Sequence, residues 1–216
     1  PEIKIISSLL GLDLKKIKNI ELSSDLETSV KLLIDNKFKI TDKTFSVKGK
    51  INELSLEHKE AKSIKKYIPS YSSKFFLKDT EINFDEKNNF NLSGLIKFDK
   101  KFEEFLLNYS GTSDKKFKIG GKINLHELPL KISNLNYSKE KNVKANVNFD
   151  IEGSKLTYDI VRLAYSSEKN KINLNKIKLN KKLQIKDMGK IQVKTFSNDI
   201  KNNDFQIEKF NRLHQG

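Results

Sequence analysis

Three histidines, His58, His126 and His214, are the only imidazoles in the chain. Zinc and other transition metals need imidazole, thiolate or carboxylate ligands that converge. These three stand far apart without His-x-x-x-His spacing, so each reads as a structural or surface histidine. There is no cysteine, which removes thiol catalysis, disulfides and every Cys-based metal site. Glu103-Glu104 supplies two adjacent carboxylates. Neighbours on a strand point to opposite faces, and on a helix they diverge by about 100 degrees, so they read as a solvated pair and not as an acid–base couple.

No Gly-x-Ser-x-Gly elbow, phosphate-binding loop or dinucleotide fingerprint occurs. Gly120-Gly121 lies inside an alternating run, where glycine marks a bulge, a bend or a close approach. The triplets at Asn91, Asn108 and Asn136 match the glycosylation pattern, but a chain this rich in asparagine produces them by chance. The expectation is a protein that is not an enzyme and needs no cofactor or metal.

The net charge of +14 raises the question of nucleic acid or an anionic membrane surface. Only Arg162 and Arg212 are arginines, whereas base and phosphate recognition favours the bidentate guanidinium. Lysine is spread evenly beside abundant asparagine and isoleucine, as AT-rich coding would produce, so no specific nucleic-acid partner is expected. The excess charge fits either attraction to anionic headgroups or plain solubility.

The elements that would hold any site are strands. Alternation of period two fills most of the sequence, as a sheet with one dry and one wet face requires. Phe117 to Leu125 shows it, with apolar residues or glycine at the odd positions, and Val143 to Ile151 shows it over nine residues. Further runs carry Phe45, Val47 and Ile51; Leu54 and Leu56; Ile82 and Phe84; Phe90 and Leu92; and Leu156, Tyr158 and Ile160. Others carry Ile172 and Leu174; Ile177 and Leu179; Leu183 and Ile185; Ile191 and Val193; and Phe205 and Ile207. At least ten strands of about six residues follow.

Turn signals stand at Asp35-Asn36, Thr41-Asp42, Glu86 to Asn89, Lys139 to Asn142, Asp187-Met188-Gly189 and Lys201 to Asp204. Links this short join antiparallel neighbours. One helix is expected from about Glu57 to Ile68, stopped by Pro69, either plugging the sheet or resting its lysines on a membrane surface. A weaker one is expected over Phe102 to Leu107. This divides the chain into a first group of strands (1–56), a helix with connector (57–73) and a continuing sheet (74–216).

With almost no helices to cover it, the apolar side of so many strands must be covered by the sheet itself, in a sandwich, a barrel or a groove. The lack of tryptophan and the monotony of Ile, Leu, Val and Phe fit a curved sheet with an aliphatic inner face. No apolar run approaches the roughly 18 residues of a membrane-spanning helix. The chain opens at Pro1 with no leader, as a segment of something longer would.

Lys66-Tyr67-Ile68-Pro69, the stretch Phe117 to Ile132, and Leu135-Asn136-Tyr137-Ser138-Lys139 together resemble the AsmA-like proteins of Gram-negative envelopes. So do Gly189 to Val193 and Asn202 to Ile207, and the resemblance covers most of the chain from about Asp25. It implies a long, taco-like antiparallel β-groove in the periplasm, anchored to the inner membrane through a segment outside this chain. Such a groove carries phospholipids toward the outer membrane.

On that basis the expected partners are phospholipid acyl chains, sheltered by a lining of Phe117, Ile119, Ile123, Leu125, Val143, Ala145, Val147, Phe149 and Ile151. Ile172, Leu174, Ile191 and Val193 continue it. The competing expectations are a closed structural or adhesive β-sandwich of the cell surface, and a periplasmic outer-membrane assembly factor that adds its edge to a client strand.

Overall fold

Alternation this regular leaves every strand with one side that can be buried, and pairing strands side by side collects those sides on one surface. The computed structural model describes residues 17–58, 74–87, 89–97, 101–111, 116–154, 157–182, 184–197 and 200–209. Its strands are β1 (Ile17–Ile34), β2 (Ile40–His58), β3 (Lys74–Phe84), β4 (Asn89–Lys97), β5 (Phe102–Gly111), β6 (Phe117–Asn124) and β7 (Leu130–Ile132). They continue with β8 (Tyr137–Lys139), β9 (Asn146–Gly153), β10 (Thr157–Ser167), β11 (Asn170–Asn180), β12 (Ile185–Ser197) and β13 (Ile200–Glu208).

Eleven of them form one open antiparallel sheet in the order β1-β2-β3-β4-β5-β6-β9-β10-β11-β12-β13. The sheet does not close, so β1 and β13 are its edges. β7 and β8 pair only with each other. With a single 3-10 turn, Ser133–Leu135, they make up an insertion between β6 and β9.

Several expected boundaries move. Phe102 to Leu107 is strand β5, not helix, because Glu103, Phe105, Leu107 and Tyr109 all face the same way. Glu57 and His58 close strand β2, and the rest of the expected helix lies outside the described residues. Thr41-Asp42, Asp187-Met188-Gly189 and Lys201 to Asp204 lie within β2, β12 and β13 and are not turns. β2 pairs with β3, so the strands before and after residues 59–73 belong to one sheet.

Strands are also longer than six residues, with 18 in β1 and 19 in β2. They run on because each phase change in the sequence is a bulge inside a strand, not a break between strands. β1 and β2 shift register between Ser23 and Ser24, β3 and β4 between Lys78 and Glu81, and β9 and β10 between Ile160 and Arg162. The site in β3 and a phase change in β11 use the same device. Asp79 (φ 47°) and Lys176 (φ 55°) take the left-handed conformation. Gly94 and Gly189 lie against them, where a Cβ would come within 2.5 Å of Thr80 and 2.7 Å of Lys176. From β4 through β5 and β6 to β9 the register never shifts.

The outer surface is wet and laced with exposed cross-strand pairs such as Lys118–Glu152 at 2.8 Å and Lys50–Asp79 at 2.6 Å. Exposed pairs of this kind are screened by water and salt and contribute little to stability.

Candidate functional site

The inner surface is the candidate site, and register defines it. One line of directly paired residues crosses the whole sheet: Leu26, Gly49, Ile82, Leu92, Leu107, Gly121, Phe149, Leu163, Leu174, Ile191 and Ile207. Paired residues point to the same face, so the line is apolar or glycine from edge to edge. At about 4.8 Å per strand spacing it is roughly 48 Å long.

Gly121 and Gly153 are each overlain by a phenylalanine ring from the neighbouring strand, Phe149 and Phe117 respectively. At Gly121 a Cβ would lie 2.5 Å from the Leu106 carbonyl oxygen and 2.9 Å from Phe149 Cζ. Of the meanings open to Gly120-Gly121, close approach is therefore the one realised, since β6 pairs on both sides without a bulge.

Among the described residues, one segment covers this face, the insertion between β6 and β9. Leu128 and Tyr137 of the insertion bury themselves against Leu125, Ala145, Tyr165, Ile172 and Val193. The Tyr137 and Tyr165 hydroxyls hydrogen-bond at 2.6 Å, and burial pushes both above the usual phenol range. Across the insertion, Asn202 and Asn203 of β13 donate from their side-chain amides to the Leu135 carbonyl, at 3.0 and 2.7 Å. The cap thus reaches from β6 to β13 at the end of the sheet where β6 finishes.

Lys139 stitches the cap together. It is 3% exposed, and its ammonium donates to the carbonyls of Glu140, Val143 and His126 at 2.9, 3.1 and 3.2 Å. Burial lowers its affinity for the proton. Glu103 is buried and accepts the Glu127 N–H, while exposed Glu104 accepts from Asn124 on the other face. The carboxylates are therefore not a solvated pair. A polar cleft of about 450 Å³, lined in part by Glu103, His126, Lys144 and Glu168, opens beside the cap. His58 ends strand β2, and His214 lies outside the described residues. Among the described residues no group of three His, Asp or Glu side chains could hold a metal.

The cap divides the thirteen expected lining residues. Leu125, Ala145, Ile172 and Val193 are core beneath it, and Ile123, Val147 and Ile191 pack against that core. Phe117, Ile119, Phe149, Ile151 and Leu174 lie on the face away from that core and are half-buried by their neighbours. Val143 is not on the face as a strand residue, because β9 starts at Asn146 and Val143 belongs to the turn that holds Lys139.

Several residues of the face were not among the expected lining: Phe105, Leu107 and Tyr109 on β5, and Leu163 and Tyr165 on β10. Alternation from Glu103 to Tyr109 was the available signal for the first three, hidden by outward-facing Leu106 in the run Phe105-Leu106-Leu107.

No helix among the described residues is long and apolar enough to cross a membrane. Compared with known proteins, the chain matches no family model, no curated protein and no solved structure.

Proposed function

We propose that this chain is a lipid-conducting segment, an AsmA-like β-groove of the Gram-negative periplasm that passes phospholipids between the inner and outer membranes. The reading is supported by one observation above the others, the unbroken apolar line across eleven strands of a sheet that does not close. An acyl chain leaving a bilayer loses about 0.8 kcal/mol per exposed methylene, and a continuous apolar surface offsets that loss at every step along it. Tails lie along the strands on the uncapped part of the face, around Phe149, Ile151 and Leu174, and move from strand to strand. Headgroups stay in water at the end opposite the cap. The process needs no catalytic residue, and the inner-membrane anchor belongs to a segment outside residues 1–216.

The test is native mass spectrometry of the purified chain, with organic extraction and identification of co-purifying lipid. Discrete phospholipid adducts are expected, lost in Leu174→Asp and retained in Val161→Asp, whose side chain is exposed. A homogeneous lipid-free mass with no uptake from phospholipid vesicles overturns the proposal and favours a structural β-domain.

A further inference from the structure

The β1–β2 hairpin outruns the sheet. β3 pairs with β2 only as far as Val47↔Phe84, and the last tie to the β3–β4 turn is the Lys31–Glu86 ion pair at 3.0 Å. Beyond it, Leu32 to Ile34 and Ile40 to Lys43 pair only with each other. This two-stranded tip is apolar where a solvated tip would be polar. Leu33, Ile34 and Ile40 are each more than half exposed, and Phe38 at the turn is 90% exposed.

Phe38 is doubly anomalous. Its N–H donates to the Asp35 carbonyl and the Asp35 N–H donates to Lys39, a tight turn whose left-handed position normally takes glycine or asparagine. Here φ is 57° at a phenylalanine. An aromatic ring is thus held out at the extreme of the molecule, at a backbone position that disfavours it. Leu32 and Leu33 face opposite sides of the ribbon, so packing one face against the protein would still leave the other exposed.

Lysines frame the tip. Lys37, Lys39 and Lys43 use their backbone N–H groups in the turn or beside Asp42, and none of the three carries an ion pair among the described residues. The Asp35 carboxylate accepts from two of those N–H groups. At the same end of the sheet, the β11–β12 turn brings Lys181, Lys182 and Lys186 beside Ile185, which is 61% exposed.

We propose that the β1–β2 tip is a membrane-docking hairpin, inserting Phe38, Ile34, Ile40 and Leu33 into the headgroup boundary of an anionic bilayer while Lys37, Lys39 and Lys43 pair with its phosphates. An exposed apolar tip ringed by long cationic side chains is the composition that lies in such an interface, the lysines reaching back to the charged surface. The few residues beyond Lys43 extend about 10 Å, the depth that interfacial burial requires. Self-association through the tip is disfavoured because two chains of charge +14 repel, whereas an anionic surface attracts. The docking does not rest on lipid carriage: a sheet whose inner face were filled would dock in the same way.

The chain contains no tryptophan, so Phe38→Trp places a single reporter at the tip. Vesicles of phosphatidylglycerol and phosphatidylcholine should blue-shift its emission, brominated lipid should quench it, and phosphatidylcholine alone should do far less. In flotation assays Phe38→Asp and Lys37→Glu/Lys39→Glu should each weaken binding about tenfold or more, and Val161→Asp, at an exposed position away from the tip, should bind like the parent. Unchanged emission with anionic vesicles, or full binding by Phe38→Asp, overturns the proposal. So does a blue shift that grows with protein concentration in the absence of vesicles, which would assign the tip to a second copy of the chain.

Discussion

Replacing Leu128 by alanine should release the cap while the sheet stays folded. Leu128 is 2% exposed and sits in the cluster formed with Tyr137, Tyr165, Ile172 and Val193. The change deletes three carbons, about 2.4 kcal/mol at roughly 0.8 kcal/mol each, and the cavity left behind raises the loss to about 3 kcal/mol. The cap's other ties to the sheet include the Tyr137–Tyr165 and asparagine hydrogen bonds, at about 1 kcal/mol each, the Glu127 N–H donated to the buried Glu103 carboxylate, and the exposed Lys101–Glu127 pair.

A loss of 3 kcal/mol multiplies the open population of the cap by roughly 150. The strands beneath it keep their ladders on both sides, since β10 pairs with β9 and β11 whether or not the cap is seated. Native-state hydrogen exchange therefore reads the effect directly. Cap amides such as Asn136 N–H, bonded to Ser133, should exchange on the order of a hundredfold faster, with β10 and β11 amides unchanged. If amides of β10 and β11 accelerate in step with those of the cap, the cap is an inseparable part of the core and the reasoning fails.

Removing one hydroxyl from the Tyr137–Tyr165 pair strands the other in a buried site. Tyr137→Phe and Tyr165→Phe should each cost about 1–2 kcal/mol, and the double variant less than their sum; additive shifts in urea midpoint would refute the coupling. The Lys101 ammonium holds the Glu127 carboxyl below its ordinary value of 4.5, so the stabilisation it gives is complete above that value and lost as pH falls through the lowered one. Exchange of cap amides should rise in that acidic window, and Lys101→Ala should flatten the profile; an unchanged profile in the variant would show that the pair does not seat the cap.

Alternation carried the essentials of the fold, because a sheet with one dry face writes its period into the sequence. Where it misled, the cause was a single residue. Leu174 and Ile177, or Met188 and Ile191, are three apart, which looks like two strands with a turn between them. Both pairs sit on one strand, with Lys176 or Gly189 taking up the extra residue. Asn202-Asn203 resembled a turn for a different reason. These polar side chains are spent on the cap, holding a carbonyl more than sixty residues away. No local period records a contact of that range, which is also why Leu128 and Tyr137 gave no sign that they cover Ile172 and Val193.

The bulges near Asn52 and Asp79 and those along β10 to β12 lie on either side of the unshifted strands β4 to β9. They act as two creases flanking a central panel of unshifted register, because a bulge bends its strand and raises the local twist. A barrel fixes its girth through a ring of hydrogen bonds, but an unclosed sheet has no such ring. The fold angle at each crease sets how wide the sheet gapes, and small dihedral changes at Asp79 and Lys176 alter that angle without breaking the ladders of the panel between them.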